Sequence, residues 1–165
     1  STTAQMVMGD LIAVALMQLR GFEAKDFARY HPGGNLGKQL TLTAGMIAEA
    51  NQKPSVKINT SLKEVITTIS KNRLGATAVI DDNNKVLGII TDGDIRRMLE
   101  THNQFQELIA KDIYHNGPVT IASNILAIEA AKLMEQKDIS QIIVADQDNY
   151  KGIIHIHDLM KEGII

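Results

Sequence analysis

The period of the hydrophobic positions changes several times along this chain, and the changes recur. Near the N-terminus, Met6, Val7, Met8, Leu11, Ile12, Val14, Ala15, Leu16 and Met17 are interrupted chiefly by Asp10 and Gln18. That pattern predicts a helix over 6–19 that is apolar around nearly its whole circumference. Thr2 and Gln5 have the spacing of a capping box before it, and Gly21 supplies a stop. A short polar helix is expected at 24–29. His31-Pro32-Gly33-Gly34 follows, where Pro32 pushes His31 out of helical geometry. From residue 55 onward, short apolar strands alternate with stretches of 3.6-residue period. Strands are expected at 56–58, 76–80 and 86–90, the last two joined by the turn Asp81-Asp82-Asn83-Asn84. Between the first two, Leu62, Val65, Ile66 and Ile69 form a helical stripe behind the cap signal Ser61 and Glu64. A helix starting near Asp92 and running to about Glu100 completes the series. A second series has strands at 119–121, 141–145 and 150–154, a helix at 124–136, and a final helix from about His157.

The two series are copies. AVIDDNNKVLGIITDGDI from Ala78 and IIVADQDNYKGIIHIHDL from Ile142 align at a spacing of 64 residues, with Asp82 on Asp146, Gly88 on Gly152 and Asp94 on Asp158. Upstream the register holds with one residue lost, so that Ser55-Val56-Lys57-Ile58 falls on Pro118-Val119-Thr120-Ile121. A repeat of this length is a small domain. The expected fold is therefore α/β in an α+β arrangement: two β-α-β-β-α units packed as a pseudo-twofold pair, preceded by an N-terminal helix. Each unit buries one sheet face against two helices and reads as self-sufficient. Nothing then remains to cover the helix at 6–19, which is either buried in an oligomer or, the preferred reading, the last helix of a preceding domain. The domains expected are 1–40 (that remnant and a linker), 41–103 and 104–165. Two copies around an axis enclose clefts between equivalent edges, which suits ligand sensing.

Composition narrows the classes. A net charge of −2 gives no basic footprint for nucleic acid, and three Tyr, three Phe and no Trp leave little for base stacking. No uninterrupted apolar run approaches the ~18 residues of a membrane span, and no signal-peptide pattern is present. There is no Cys, hence no disulfide or thiolate metal site. The expectation is a soluble, cytoplasmic chain with no nucleic-acid or membrane partner.

The strongest chemical signal is the strand-to-helix junction Gly88-Ile89-Ile90-Thr91-Asp92-Gly93-Asp94. A hydroxyl and a carboxylate three residues apart stand at a helix N-terminus, where free N–H groups favour phosphate and a carboxylate can accept from ribose hydroxyls. A plain helix cap, with Thr91 or Asp92 capping and Asp94 answering the macrodipole, uses the same residues. The second copy keeps Asp158 but has His155 in the place of Thr91. Three other signals are discounted. Gly33-x-x-x-Gly37-Lys38-Gln39 is one residue short of a phosphate loop and lacks its hydroxyl. His155, His157 and Asp158 are too few ligands for a metal centre. Met98, Met134 and Met160 read as core filling. No metal and no cofactor are expected.

Two copies carrying GIITDGDI and GIIHIHDL resemble a tandem pair of CBS domains, a Bateman module. In that family the Thr-x-x-Asp of this junction holds the ribose and phosphate of a nucleotide. The resemblance implies ligand-binding roles for Thr91, Asp94 and Asp158, while His155 departs from the pattern and makes two equivalent sites unexpected. STTAQ, GD-x-x-AVALM, DFARYHPGG and HIHDL extend it. The chain is similar to the end of the sugar isomerase (SIS) domain followed by the CBS pair of bacterial D-arabinose-5-phosphate isomerases of the KpsF/GutQ type. That family interconverts D-ribulose 5-phosphate and D-arabinose 5-phosphate for the lipopolysaccharide sugar Kdo. The resemblance makes His31 a catalytic residue of the full-length enzyme only, since aldose–ketose isomerisation needs a base and an acid that one His cannot supply. This chain alone is expected to be inactive. The implied partner is a nucleotide or nucleotide-sugar effector, either an adenine nucleotide or CMP-Kdo, with His155 or His157 pairing a sugar-acid carboxylate in the latter. Also implied are a homodimer of CBS pairs and a tetrameric full-length enzyme. A ligand-free dimerisation module is the alternative.

Overall fold

Ser1, rather than Thr2, caps the first helix: in the computed structural model its side chain accepts from the Ala4 N–H at 3.4 Å, and α1 runs Thr2–Leu19. The structure describes residues 1–23, 26, 27, 30, 34–101, 105 and 107–165. Gly21 stops α1 as expected. With φ +58° it lets its own N–H reach Gln18 O and the Phe22 N–H reach Met17 O, a Schellman closure. No residue of α1 is buried. By length and composition alone α1 is long and apolar enough to cross a membrane, with a mean hydropathy of 1.3, a property that core helices of soluble proteins share. Helix α2 (Asn35–Thr41) ends this first unit, Ser1–Thr41. Most of the helix expected at 24–29, and His31 itself, lie outside the described residues.

The second unit, Leu42–Ile165, holds both copies. It begins with α3 (Ala44–Ala50), capped by Thr43. The first copy follows: β1 (Ser55–Lys57), α4 (Leu62–Asn72), β2 (Ala76–Ile80), β3 (Val86–Thr91) and α5 (Asp92–Thr101). A short α6 (Ala110–Ile113) and β4 (His115–Asn116) lead to the second copy: β5 (Thr120–Ile121), α7 (Ala127–Gln136), β6 (Gln141–Asp146), β7 (Asn149–His155) and α8 (Ile156–Lys161). Ser61 caps α4 as expected, accepting from the Glu64 N–H. Helix α7 starts later than expected, at Ala127, behind Leu126, which offers no side-chain cap.

The ladders correct the repeat register. Strands β2 and β3 pair Ala78 with Ile89 and Val79 with Gly88; β6 and β7 pair Ile143 with Ile153 and Val144 with Gly152. Residues of β3 thus map onto β7 at a spacing of 64, but those of β2 map onto β6 at 65, and Asp81 rather than Asp82 takes the place of Asp146. The same spacing of 65 holds upstream. Val56 sits beside Val79 as Ile121 sits beside Val144, so a residue is gained there, not lost. The extra residue is absorbed in the β2–β3 turn. Because β2 is buried on both faces, its apolar run is continuous and carries no register information.

The copies are related by a pseudo-twofold that the backbone records directly. Lys85 and Asn149, equivalent residues, form a bridge with each other. The Val86 N–H donates to Asp148 O and the Tyr150 N–H to Asn84 O, both at 2.9 Å. Leu74, Ala76, Ala78 and Ile80 of one copy pack with Ile143, Ala145, Tyr150 and Ile153 of the other.

Neither copy completes its own core, contrary to the expectation of self-sufficiency. Ala44, Ile47 and Ala48 of α3, which precedes the first copy, are buried with Ile121, Ala127, Ala130, Met134, Ile142 and Ile154 of the second. Reciprocally, Ala110 of α6, with Ile113 and Tyr114 packed against the same group, joins Val56, Val65, Ile69, Val79 and Ile90 of the first copy. Matching hydrogen bonds fix the exchange. The Ala44 N–H donates to Ile125 O as the Ala110 N–H does to Thr60 O, each at 2.8 Å. The repeated glycines make room for it. A Cβ at Gly88 would stand 2.3 Å from His115 O and from the Tyr114 ring, and one at Gly152 would stand 3.0 Å from Ala48. Strand β4 thereby adds to the first copy's sheet, of order β1-β2-β3-β4, while β5-β6-β7 form the second.

Candidate ligand-binding clefts

Thr91 ends β3 and opens α5, so the cap reading and the site reading fall on the same atoms. The Thr91 N–H and hydroxyl both donate to Asp94 Oδ2, at 2.8 and 2.7 Å, and the Asp94 N–H returns a bond to Thr91 Oγ1 at 3.3 Å. This is a reciprocal capping box. It does not exhaust Asp94. Arg97 Nη2, one helical turn on, lies 2.5 Å from Oδ1, and His115 Nε2 lies 2.6 Å from the same oxygen. Asp94 is 5% exposed, whereas the Arg97 and His115 side chains are 66% and 63% exposed.

Burial by itself would raise the Asp94 carboxyl's pKa, but the bonds from Thr91, Arg97 and His115 outweigh it and hold the group below its ordinary value of 3.8. A carboxyl with a folded-state pKa below its unfolded one contributes stability above the unfolded value and loses it as pH falls through the folded value. The melting temperature of the native chain should therefore exceed that of Asp94→Asn near neutrality. The gap should close below about pH 4, as thermal melts taken down to about pH 2.5 would show.

Thr91, Asp94, Arg97 and His115 line one cleft of about 480 Å³. Its other walls are the linker Asn116-Gly117-Pro118-Val119 and the edge 138–141 of the second copy, so the two copies build it jointly. A groove of about 510 Å³ along α7 shares Asp138, Ile139 and Ser140 with it but is lined largely by apolar side chains such as Ile128, Met134 and Ile165.

The second copy departs from this plan. The Asp158 carboxylate accepts from the His155 N–H at 2.8 Å, as Asp94 does from Thr91. Asn51 takes the part that His115 plays in the first copy. Its Nδ2 donates to Asp158 Oδ2 at 2.7 Å and to Ile153 O at 3.2 Å. The cavity beside Asp158 is about 180 Å³, with Leu42, Met46, Ile47, Ala50, Asn51, Lys161 and Glu162 as its walls. His155 and His157 are not among them. The His157 N–H donates to His155 Nδ1 at 3.1 Å, and the two rings stand 4.6 Å apart. Burial, then the neighbouring His157, hold the His155 imidazole below its ordinary 6.5, with Asp158 opposing. No group of three or more potential metal ligands occurs among the described residues.

The structure thus brings Thr91 and Asp94 together, and separately Asp158 with His155. His31 lies outside the described residues. Sequence reasoning missed Arg97, whose i+3 spacing from Asp94 was a usable signal. It also missed His115 and Asn51, which had no local signal.

Comparison with known proteins agrees with this architecture. The CBS domain family matches twice, at residues 47–101 and 110–164. Over its whole length the chain is 41% identical to arabinose 5-phosphate isomerase KdsD of Escherichia coli, of which it covers 51%; it spans about half the length of the curated relatives it matches. Among solved structures, a putative acetoin utilization protein from Vibrio cholerae superimposes with a TM-score of 0.67 at 19% identity, over 74% of this chain and 90% of that one. A CBS domain protein from Pyrobaculum aerophilum complexed with AMP does so with a TM-score of 0.64 at 21% identity, over 72% and 90%.

Proposed function

The chain belongs to the CBS domain family, and on that premise we propose that it is the effector-binding regulatory portion of a D-arabinose-5-phosphate isomerase, converting D-ribulose 5-phosphate to D-arabinose 5-phosphate for Kdo and lipopolysaccharide synthesis. The observation that carries the sensing role is the cleft at Thr91 and Asp94, built jointly by the two copies. A ligand there contacts both copies at once and can report its presence through their relative position. Similarity over the whole of this chain to about half of the isomerase supports that parent activity. His31 would serve in that parent's active site, and the chain by itself would not turn over sugar phosphate.

The effector is a nucleotide or nucleotide sugar. An AMP-bound relative of the same fold favours an adenine nucleotide. The narrow, differently furnished second copy favours a ligand that uses the two copies unequally, as CMP-Kdo would, its sugar-acid carboxylate pairing with His155 or His157. The protein works in the cytoplasm. Exposed Ile66 and Leu99 on the outer helices of the first copy support a homodimer of CBS pairs, and a tetramer for the whole enzyme.

A thermal-shift series of this chain with AMP, ADP, ATP, CMP, CMP-Kdo and arabinose 5-phosphate tests the reading. A ligand at one hundred times its dissociation constant adds about 2.7 kcal/mol, roughly 5–10 °C for a chain of this size. A selective rise with one nucleotide or nucleotide sugar is expected. No rise with any of them at millimolar concentration would leave a ligand-free dimerisation module as the better account.

A further inference from the structure

We infer that Arg97 and His115 are the anion-receiving pair of the cleft at Asp94, with a phosphoryl group as their ligand, while Asn51 commits the equivalent carboxylate of the second copy to the chain itself. The first part rests on the reading of this cleft as the ligand site.

An ionised carboxylate offers about four acceptor positions, and Asp94 has them filled: Thr91 N–H and hydroxyl on Oδ2, Arg97 and His115 on Oδ1. A ligand hydroxyl can dock on Asp94 only by evicting one of these donors. The Thr91 bonds are local to the helix start, but the other two donors come from exposed side chains that line the cleft. Arg97 commits one of its five N–H donors to Asp94. The remainder of its planar fork suits a phosphoryl group, which it can bind through two parallel bonds. An incoming phosphoryl anion gives Arg97 and His115 a new partner as they leave Oδ1, and the vacated oxygen becomes available to a ligand hydroxyl. Asp94 thus positions the pair before binding and reads the ligand after it.

The second copy is furnished for another task. Both amide donors of Asn51 are committed, to Asp158 and to Ile153 O, and an amide brings no charge for an anion. The cavity beside Asp158 has well under half the volume of the one at Asp94. Asn51 also caps the C-terminal end of α3, so the second carboxylate fastens that helix to the second copy.

The test follows the imidazole signals of the five histidines by NMR during titration with pyrophosphate and, separately, AMP, in the native chain, Arg97→Ala, Lys161→Ala and Asn51→Ala. Both exposed substitutions, Arg97→Ala and Lys161→Ala, should leave the fold intact, as the unperturbed methyl spectrum will report. Pyrophosphate and AMP should both move His115, and Arg97→Ala should weaken both by at least about tenfold, the value of a lost charge-assisted bond. Lys161→Ala and Asn51→Ala should change affinity by less than about twofold. Pyrophosphate binding at His115 without any nucleotide binding would uphold the anion pair and remove the nucleotide reading. AMP binding reported by His155 and His157 instead of His115 would overturn the anion pair and leave the nucleotide reading standing. Absence of binding by either probe would overturn both.

Discussion

Replacing Gly88 with alanine will destabilise the CBS pair by about 3 kcal/mol, the upper end of ordinary overpacking. The added methyl would lie 2.3 Å from His115 O, a backbone atom held in the β3–β4 pairing, and 2.3 Å from the Tyr114 ring. The ring can turn away, but the carbonyl can retreat only if β4 leaves the sheet. That movement also withdraws His115 from Asp94, so the variant should lose ligand affinity together with stability. Gly9→Ala is the control. Nothing lies within 4 Å of the added carbon, and in an exposed helix the change is neutral or favourable by up to about 1 kcal/mol. Urea unfolding of both variants, read by far-UV circular dichroism, checks the contrast. Equal midpoints for Gly88→Ala and the native chain would show that β4 is not pinned where the structure puts it.

Removing residues 1–50 will unfold the second copy, although it lies at the other end of the sequence, whereas removing residues 1–41 will not. The shorter deletion takes away only the first unit. The longer one also takes α3, hence Ile47 and two buried alanines from the second copy's core. It breaks the backbone bonds joining Leu42, Ala44 and Gly45 to Ala127, Ile125 and Ser123 as well. Burial of a large aliphatic side chain contributes about 1.5–3 kcal/mol and each buried methyl about 0.8; each backbone bond adds about 0.5–1.5. The loss is therefore roughly 5 kcal/mol or more, against a whole-domain stability of about 5–15. Hydrogen exchange read by mass spectrometry should show residues 120–164 unprotected in the longer deletion and protected in the shorter. Equal protection in both would mean that the second copy stands without α3.

Several features were legible in the sequence because their causes are local. The helix stop at Gly21, the Ser61 cap and the Thr91–Asp94 junction all depend on residues within three or four positions of each other, where spacing alone determines geometry. The strand-helix-strand-strand-helix order was legible too, since each element carries its own period. That one residue pair suits a cap or a ligand site was visible, but not that the complete cap also lines a cleft shared by the two copies.

The exchange of α3 and α6 was not legible. Their apolar residues, Ala44, Ile47 and Ala48 in one and Ala110 and Ile113 in the other, would suit either copy equally, because the two cores are built to one plan. Gly88 and Gly152 marked a repeated frame without telling what approaches them.

The sequence by itself determined that there are two copies of one small α/β unit and that a hydroxyl–carboxylate pair opens a helix in the first. Only the tertiary structure decided the strand register, since β2 is covered on both faces and its pattern is indifferent to a slip of one residue. Only the tertiary structure, too, decided which side chains complete each carboxylate. His115 and Asn51 reach Asp94 and Asp158 across 21 and 107 residues, and a contact made through a fold leaves no period in the chain that forms it.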